Sequence, residues 1–343
     1  MRIALDAMGS DRAPVSEVHG AVVATKSSGI EVILVGDQDE LKPALGSYRN
    51  PQRVSIVHAS EAITTHESPV VALRRKKDAS LLVALRLVKA GEADAFVSAG
   101  STGAVMVGAR TVLGPIPGVA RPAICQILPT LKKPVLALDL GANVDCTARQ
   151  LCEFAEMGMV YSKRMLGIEE PRVGLLNIGE EVAKGNEVAR MVHRNLSAVE
   201  HINFIGNVEP SAMYQGVADV VICDGFVGNL VLKTSEATAR LVGSLLKREL
   251  KASLLSRLGA LGSLRAFRRL KKDLDPNEYP GAPLLGVDGV AIILHGSCRA
   301  RAVVNAIQGA SLAVKVGLNE HIREGIQELR NAEAALSQQG GLA

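Results

Sequence analysis

Ala95-Phe96-Val97-Ser98-Ala99-Gly100-Ser101-Thr102-Gly103-Ala104 is the stretch whose reading decides the fold. It reads as a short apolar strand, a Gly-x-x-Gly turn and the start of a helix through Val105–Val112. Small residues let the backbone approach a ligand closely. The first N–H groups of the helix have no acceptor within it and point at that ligand. This geometry holds phosphate or another anion. A strand-to-helix turn also needs glycine for steric reasons alone, so the stretch gains its weight from recurrence of the design elsewhere.

Outward from this turn, strands and helices alternate. Strands are expected at Met1–Asp6, Glu31–Gly36, Arg53–Ala59, Ala123–Leu128, Val135–Leu140, Arg172–Ile178, Asn203–Ile205, Asp219–Cys223 and Val290–Leu294. Helices are expected at Val15–Ser27, Gln38–Leu45, Pro69–Gly91, Thr147–Leu166, up to Val199, and from His295-Gly296-Ser297 through Val316. A last helix covers Glu320–Leu336, and the tail Ser337–Ala343 should fray. The alternation predicts a Rossmann-like three-layer αβα unit with a mostly parallel sheet. There is no internal repeat and no low-complexity linker. Residues 1–343 therefore read as one catalytic unit with a helical excursion at about 230–285.

Composition agrees with buried parallel strands. Apolar residues make up 48% of the 343, but aromatics only 3%, and Trp is absent. The core must be built from Val, Leu, Ile and Ala. Base stacking on nucleic acid needs aromatic platforms and is disfavoured. Cys125, Cys146, Cys152, Cys223 and Cys298 form no CxxC pair, which with no signal peptide suggests reduced thiols and a cytoplasmic chain. No apolar run reaches the length of a membrane span.

Ligands of open α/β sheets bind beyond the carboxyl ends of strands. Here those exits carry Asp6 and Gly9; Gly100, Ser101, Thr102 and Gly103; Asn143 and Asp145; Asn177 and Lys184; Asp224, Gly228 and Asn229; and His295. Parallel strands would gather them on one rim. Plainer roles stand beside the functional one. Asp6 could cap a turn, Asn143 or Asp145 could cap the next helix, Lys184 could lie on the surface and His295 could be a satisfied buried histidine. Ser101 is not a nucleophile elbow, because Gly-x-Ser-x-Gly is missing, so Ser101 and Thr102 read as donors to an oxyanion. No His/Cys spacing supports a metal, and no dinucleotide fingerprint supports a cofactor.

Taken together the loops resemble the phosphate acyltransferase family. The resemblance rests on Asp6-Ala-Met-Gly-Ser-Asp-Arg-Ala-Pro14, Ser98-Ala-Gly-Ser-Thr-Gly-Ala104, Gly141-Ala-Asn-Val-Asp145, Leu176-Asn-Ile-Gly-Glu-Glu181 with Lys184-Gly-Asn-Glu187, and Gly206-Asn-Val-Glu209. Cys223-Asp-Gly-Phe-Val-Gly-Asn229, Gly281-Ala-Pro-Leu-Leu-Gly-Val287 and His295-Gly296 complete it, over residues 1 to about 310. The family usually has Gly at Ser10 and Asn at Ser101, and Glu209-Pro-Ser211 departs as well. The resemblance implies transfer of a fatty acyl group from acyl carrier protein to inorganic phosphate, giving acyl phosphate for phospholipid synthesis. It also implies a homodimer at the membrane surface and a fold similar to phosphate acetyltransferase. On this reading Ser101, Thr102 and Lys184 hold phosphate, and Asn229 or His295 supports the thioester oxygen; Asn177 and Asp224 join the catalytic set.

The net charge of +4 hides one basic segment. Lys247–Lys272 holds nine Lys or Arg against Glu249, a local +8 that leaves −4 for the rest. On a helix, Arg265, Arg268, Arg269 and Lys272 fall within an arc of roughly 100°, with Leu264, Phe267 and Leu270 opposite. Leu258 and Leu261 add apolar surface upstream. Such a helix suits an anionic membrane or an acidic carrier protein, or a core-packed helix with a solvated face. Two other functions remain open at this point: a short-chain phosphotransacetylase acting on acyl-CoA, and a membrane-surface scaffold without activity.

Overall fold

A computed structural model of the chain describes residues 1–338, apart from 28, 50, 65, 274, 276 and 277; side chains at 255, 258, 271–273, 337 and 338 are likewise outside the description. The strands are β1 (Arg2–Asp6), β2 (Glu31–Gly36), β3 (Val54–His58), β4 (Ala95–Ser98), β5 (Ala123–Leu128), β6 (Val135–Leu138), β7 (Val173–Leu176), β8 (Phe204–Val208), β9 (Val220–Ile222), β10 (Ala282–Leu285) and β11 (Val290–Ile293). They form one 11-stranded sheet in the order β3-β2-β1-β4-β11-β10-β5-β6-β9-β7-β8.

Two parallel blocks make up this sheet. β3, β2, β1, β4 and β11 run together, and so do β6, β9, β7 and β8. Between them β10 is antiparallel to both β11 and β5, and β5 is antiparallel to β6. Three reversals point the second block opposite to the first. The expected single rim is therefore corrected: strand exits of the two blocks lie on opposite edges of the sheet. The cause is a strand that the sequence reading assigned to the helical excursion. Pro283 and the flanking glycines disguise β10.

Strand side chains alternate between the two faces. Ile3 and Leu5 pack with α1 (Val15–Ala24), α2 (Gln38–Gly46) and α12 (Ala300–Lys315). On the same face of the second block, Leu136 and Leu138 meet α6 (Ala148–Leu166), α7 (Glu187–Ser197) and α13 (Leu318–Gln338). Ala4, Phe96, Val135 and Ala137 look the other way, toward α3 (Pro69–Arg75), α4 (Ser80–Lys89), α5 (Thr102–Val112), α8 (Pro210–Tyr214) and the start of α9 (Gly225–Lys251). Burial of side chains such as Phe96, worth about 3–5 kcal/mol if cut to Ala, fixes the layers.

Local chemistry sets the helix ends. Thr147 and Gln150 form a capping box, and Gly167 closes α6 in the left-handed region at φ 68°. The cap is Thr147, so neither Asn143 nor Asp145 has that role. The helix expected over Pro69–Gly91 is two helices. Asp78 accepts the Ser60 amide at 2.7 Å, and Lys76 Nζ donates to Ala62 O and Glu67, so 76–79 leaves the helical path. Lys76 is thus anchored against the body of the protein.

The excursion is α9, then α10 (Leu254–Gly262) and α11 (Leu264–Asp273), broken at Ser253 and Ser263. Every residue from 237 to 249 is exposed, so this part of α9 stands clear of the body on all sides. α13 continues to Gln338; residues 339–343 of the tail lie outside the described residues. No helix among the described residues is long and apolar enough to cross a membrane.

Candidate active site

Register places three exits of the first block side by side. Asp6 pairs with Ser98, and Ser98 pairs with Ile293. Ser80 Oγ donates to Asp6 Oδ1 and Ser98 Oγ to Oδ2, both at 2.7 Å. Gly100 N donates to Ser98 Oγ at 3.0 Å. Burial pushes the Asp6 carboxyl up, and these hydroxyls together with the Met8 amide pull it back. Asp6, expected on the ligand, is instead the buried post on which the loop stands. Gly9 lies directly over Gly100: a Cβ on Gly9 would sit 2.5 Å from Gly100 N.

That post leaves the mouth of α5 free. Ser101 is the residue before the helix, and its side chain makes no capping bond. Thr102 is exposed, and Gly103 passes Pro69 with no room for a Cβ. The first amides of α5 and the two hydroxyls thus form an open anion cradle. His295 is exposed, which corrects the buried alternative. Its Nδ1 accepts from the Ser297 amide at 3.2 Å and lies 2.8 Å from the Ser297 hydroxyl. A ring nitrogen that accepts carries no proton, so Nε2 carries it and is a donor. Asp11 N donates to Gly296 O at 2.8 Å and ties the His295 loop to the first one.

On the opposite edge Leu138, Ile222 and Leu175 are in register, so the exits of β6, β9 and β7 are neighbours. Asp139 is fully buried at their centre. It accepts Ile124 N, Ala142 N and Asn143 N at 3.1, 3.0 and 2.7 Å, and Asn143 Nδ2 at 2.9 Å. Burial raises its carboxyl, and those donors oppose the rise. Asn143 Nδ2 also donates to Pro122 O, so this amide braces a loop and has no donor left for phosphate. Gly225 and Gly228 press on the Asn143 and Asp139 backbone where no Cβ fits. Sequence reasoning passed over Asp139; its one signal was an acidic residue closing an apolar strand.

The remaining expected residues divide between structural and free. Asp224 caps α9 by accepting Val227 N at 2.7 Å, which accounts for it without catalysis. Asn177 accepts Ile178 N at 2.8 Å and donates to Lys184 O at 3.2 Å, shaping the 178–185 loop. Asp145 is exposed on its loop. Lys184 is half-exposed, with Nζ 3.9 Å from Glu181 Oε1, and Asn229 is exposed above Gly141. Among the described residues of this edge, Lys184, Asn229 and Asp145 have polar atoms to spare. The first edge can bind an anion and donate to an oxyanion; the second can add a cation and an amide.

All five cysteines are free, and none is set up as a nucleophile. Burial, aided by the Asp139 charge, pushes the Cys146 thiol up to about 12. No cluster of metal-ligating side chains occurs among the described residues. In the excursion Leu261, Arg265, Arg268 and Arg269 are exposed and Phe267 is partly covered. The side chains of Leu258 and Lys272 lie outside the described residues.

A family model described as fatty acid synthesis protein matches residues 1–321, a span that holds both edges. The chain belongs to that family. It is 48% identical over 326 residues to the phosphate acyltransferase of Geobacter sulfurreducens, covering 94% of each chain. It is 51% identical over 318 residues to that of Moorella thermoacetica, covering 93% of this chain and 94% of the relative. Among solved structures, a phosphotransacetylase from Streptococcus pyogenes superposes with a TM-score of 0.60 at 17% identity, over 92% of this chain and 94% of the other. A branched-chain phosphotransacylase from Enterococcus faecalis gives 0.55 at 14% identity, over 91% and 99%. At such identities these two show a shared fold. The family membership spans the sheet from its first strand to its last.

Proposed function

We propose that the chain is a phosphate acyltransferase that moves a long fatty acyl group from acyl carrier protein to inorganic phosphate. The observation that carries this reading is the open cradle of Gly100, Ser101, Thr102 and Gly103 at the mouth of α5, in a chain about half identical to named phosphate acyltransferases.

The chemistry needs little acid–base help. Near neutral pH phosphate already carries between one and two negative charges, much as phosphorylated side chains do with a second pKa of about 6. A thiolate leaves readily, since a thiol has a pKa of about 8.5. A phosphate oxygen attacks the thioester carbon, a C–O bond forms, and the oxyanion gathers on the former carbonyl. His295 Nε2–H is the donor for that oxyanion. Collapse breaks the C–S bond, and the carrier thiolate takes its proton from water. The protein's part is to hold the two reactants in line.

Lys184 and Asn229 stand on the other edge, so in this reading they act from a second copy. The enzyme is a homodimer in which the second edge of one protomer completes the cradle of its partner. The exposed leucines Leu241, Leu245 and Leu246 on the projecting part of α9 are apolar surface for such an interface. The enzyme works in the cytoplasm at an anionic membrane, which α10 and α11 meet through Leu254, Leu261 and the arginines of α11.

One assay tests the reading. Purified protein receives long-chain acyl carrier protein or acetyl-CoA, with and without phosphate. Phosphate-dependent loss of the long-chain thioester is expected. Activity on acetyl-CoA alone would make it a short-chain phosphotransacetylase, and no phosphate-dependent loss would leave a scaffold.

A further inference from the structure

Glu17 lies in the first turn of α1, wholly buried, and neither carboxylate oxygen makes a well-formed hydrogen bond. It sits under the loops that frame the anion cradle. Ser16, its neighbour, donates to Cys298 O at 3.4 Å, and Asp11 N joins the first loop to Gly296. The donors that face Glu17 are the hydroxyl and amide of Ser10. The Asp6 carboxyl faces it from β1, and the Cys298 thiol, with Asp11 beside it, from the loop before α12. Among the described residues, none of the groups acting most strongly on Glu17 is a cation. Burial lifts its carboxyl to about 7.

We propose that Glu17 is a proton-controlled positioning residue for phosphate, acting through the hydroxyl of Ser10. Protonated, the carboxyl donates to Ser10 Oγ, and the Ser10 hydroxyl proton is free to point outward to the bound anion. Ionised, the carboxylate draws that proton inward, which removes a donor from the cradle and sets a negative charge behind it. The proton exchanges with water, and no covalent bond changes. This inference rests on the cradle of the proposed function.

The test is the KM for phosphate between pH 5.5 and 8.5, for the unaltered enzyme and for Glu17→Gln. Phosphate titrates equally in both, so the ratio of the two KM values isolates Glu17. The ratio is expected near one at the acid end and about tenfold, weaker for the unaltered enzyme, at the alkaline end. Ser10→Ala in the unaltered enzyme should flatten most of that rise. A ratio that stays level across the range overturns the proposal while leaving phosphate transfer intact. If neither protein consumes thioester in a phosphate-dependent way, the functional reading falls and this inference falls with it. Should circular dichroism show Glu17→Gln unfolded, Glu17→Met, neutral and of similar volume, serves for the same ratio.

Discussion

Asp6 Oδ2 accepts the hydroxyl of Ser98 at 2.7 Å, which welds the end of β1 to the end of β4 beneath the anion cradle. Asp6→Ala leaves Ser80 and Ser98 without their acceptor in a buried place. The variant should lose about 2 kcal/mol in urea unfolding, the cost of orphaned buried hydroxyls. Its KM for phosphate should rise more than its kcat falls, because the Gly100 turn loses its support.

Lys184 should matter to phosphate without mattering to folding, since among the described residues its ammonium meets only Glu181, at 3.9 Å. Lys184→Ala is expected to raise the KM for phosphate at least tenfold with an unchanged melting curve. Unchanged saturation and turnover would remove it from the mechanism. Mixing this variant with the double variant Ser101→Ala/Thr102→Ala tests the shared site. In a mixed dimer one site carries both defects and the other neither, so random exchange should restore about a quarter of the activity. No recovery would place the two edges in separate roles.

Glu17 makes stability fall as pH rises. Its folded pKa, about 7, lies above the ordinary 4.5, so the folded state resists ionisation and loses stability from pH 4.5 up to about 7. Across that window Glu17→Gln should gain about 3 kcal/mol relative to the unaltered chain, as read by urea unfolding at pH 4.5 and pH 8. A constant difference between the two would refute the buried, unpaired carboxyl.

His201 works with the opposite origin and the same direction. Its Nε2 meets Glu156 at 2.8 Å, and Glu328 stands 3.9 Å from Nδ1. The bond to buried Glu156 raises the imidazole above 6.5. The stabilisation is complete below the unfolded value and disappears as pH climbs through the folded one. His201→Gln should show a smaller stability loss between pH 6 and pH 8, and lower stability at pH 6. A matching pH slope in variant and parent would refute this.

The arms α10 and α11 should bind anionic vesicles. Leu261→Asp with Phe267→Asp is expected to abolish cosedimentation while leaving turnover of soluble acyl carrier protein near normal. Retained binding would show that the membrane is met elsewhere.

The sequence made the first edge legible because its signals are local. Gly100, Ser101, Thr102 and Gly103 follow a four-residue apolar strand, and a strand followed by glycine and a helix has few folded solutions. Direction across the sheet was not legible, since it depends on β10, where Pro283 pairs with Ile292 in a place that prolines usually avoid. The roles of Asn143 and Asp224 were hidden for a related reason. Both residue types bind ligands and brace loops equally well, and only the partners, Asp139 and the Val227 amide, distinguish the two uses. Nothing in the sequence around Glu17 marks it as buried: it stands in a first helical turn, where acidic residues are common, and the loops before α1 and α12 that flank it meet only in three dimensions.

The seam of the sheet also dictates when the molecule can become whole. β4 and β5 are joined through β11 and β10, segments that begin only at Ala282. On the ribosome β1 to β4 and β5 to β9 are therefore made long before the two strands that rivet them together, and each group carries a bare edge until then. A chain truncated ahead of Ala282 should yield two half-sheets that clump, so the last sixth of the message acts as the keystone of the whole arch.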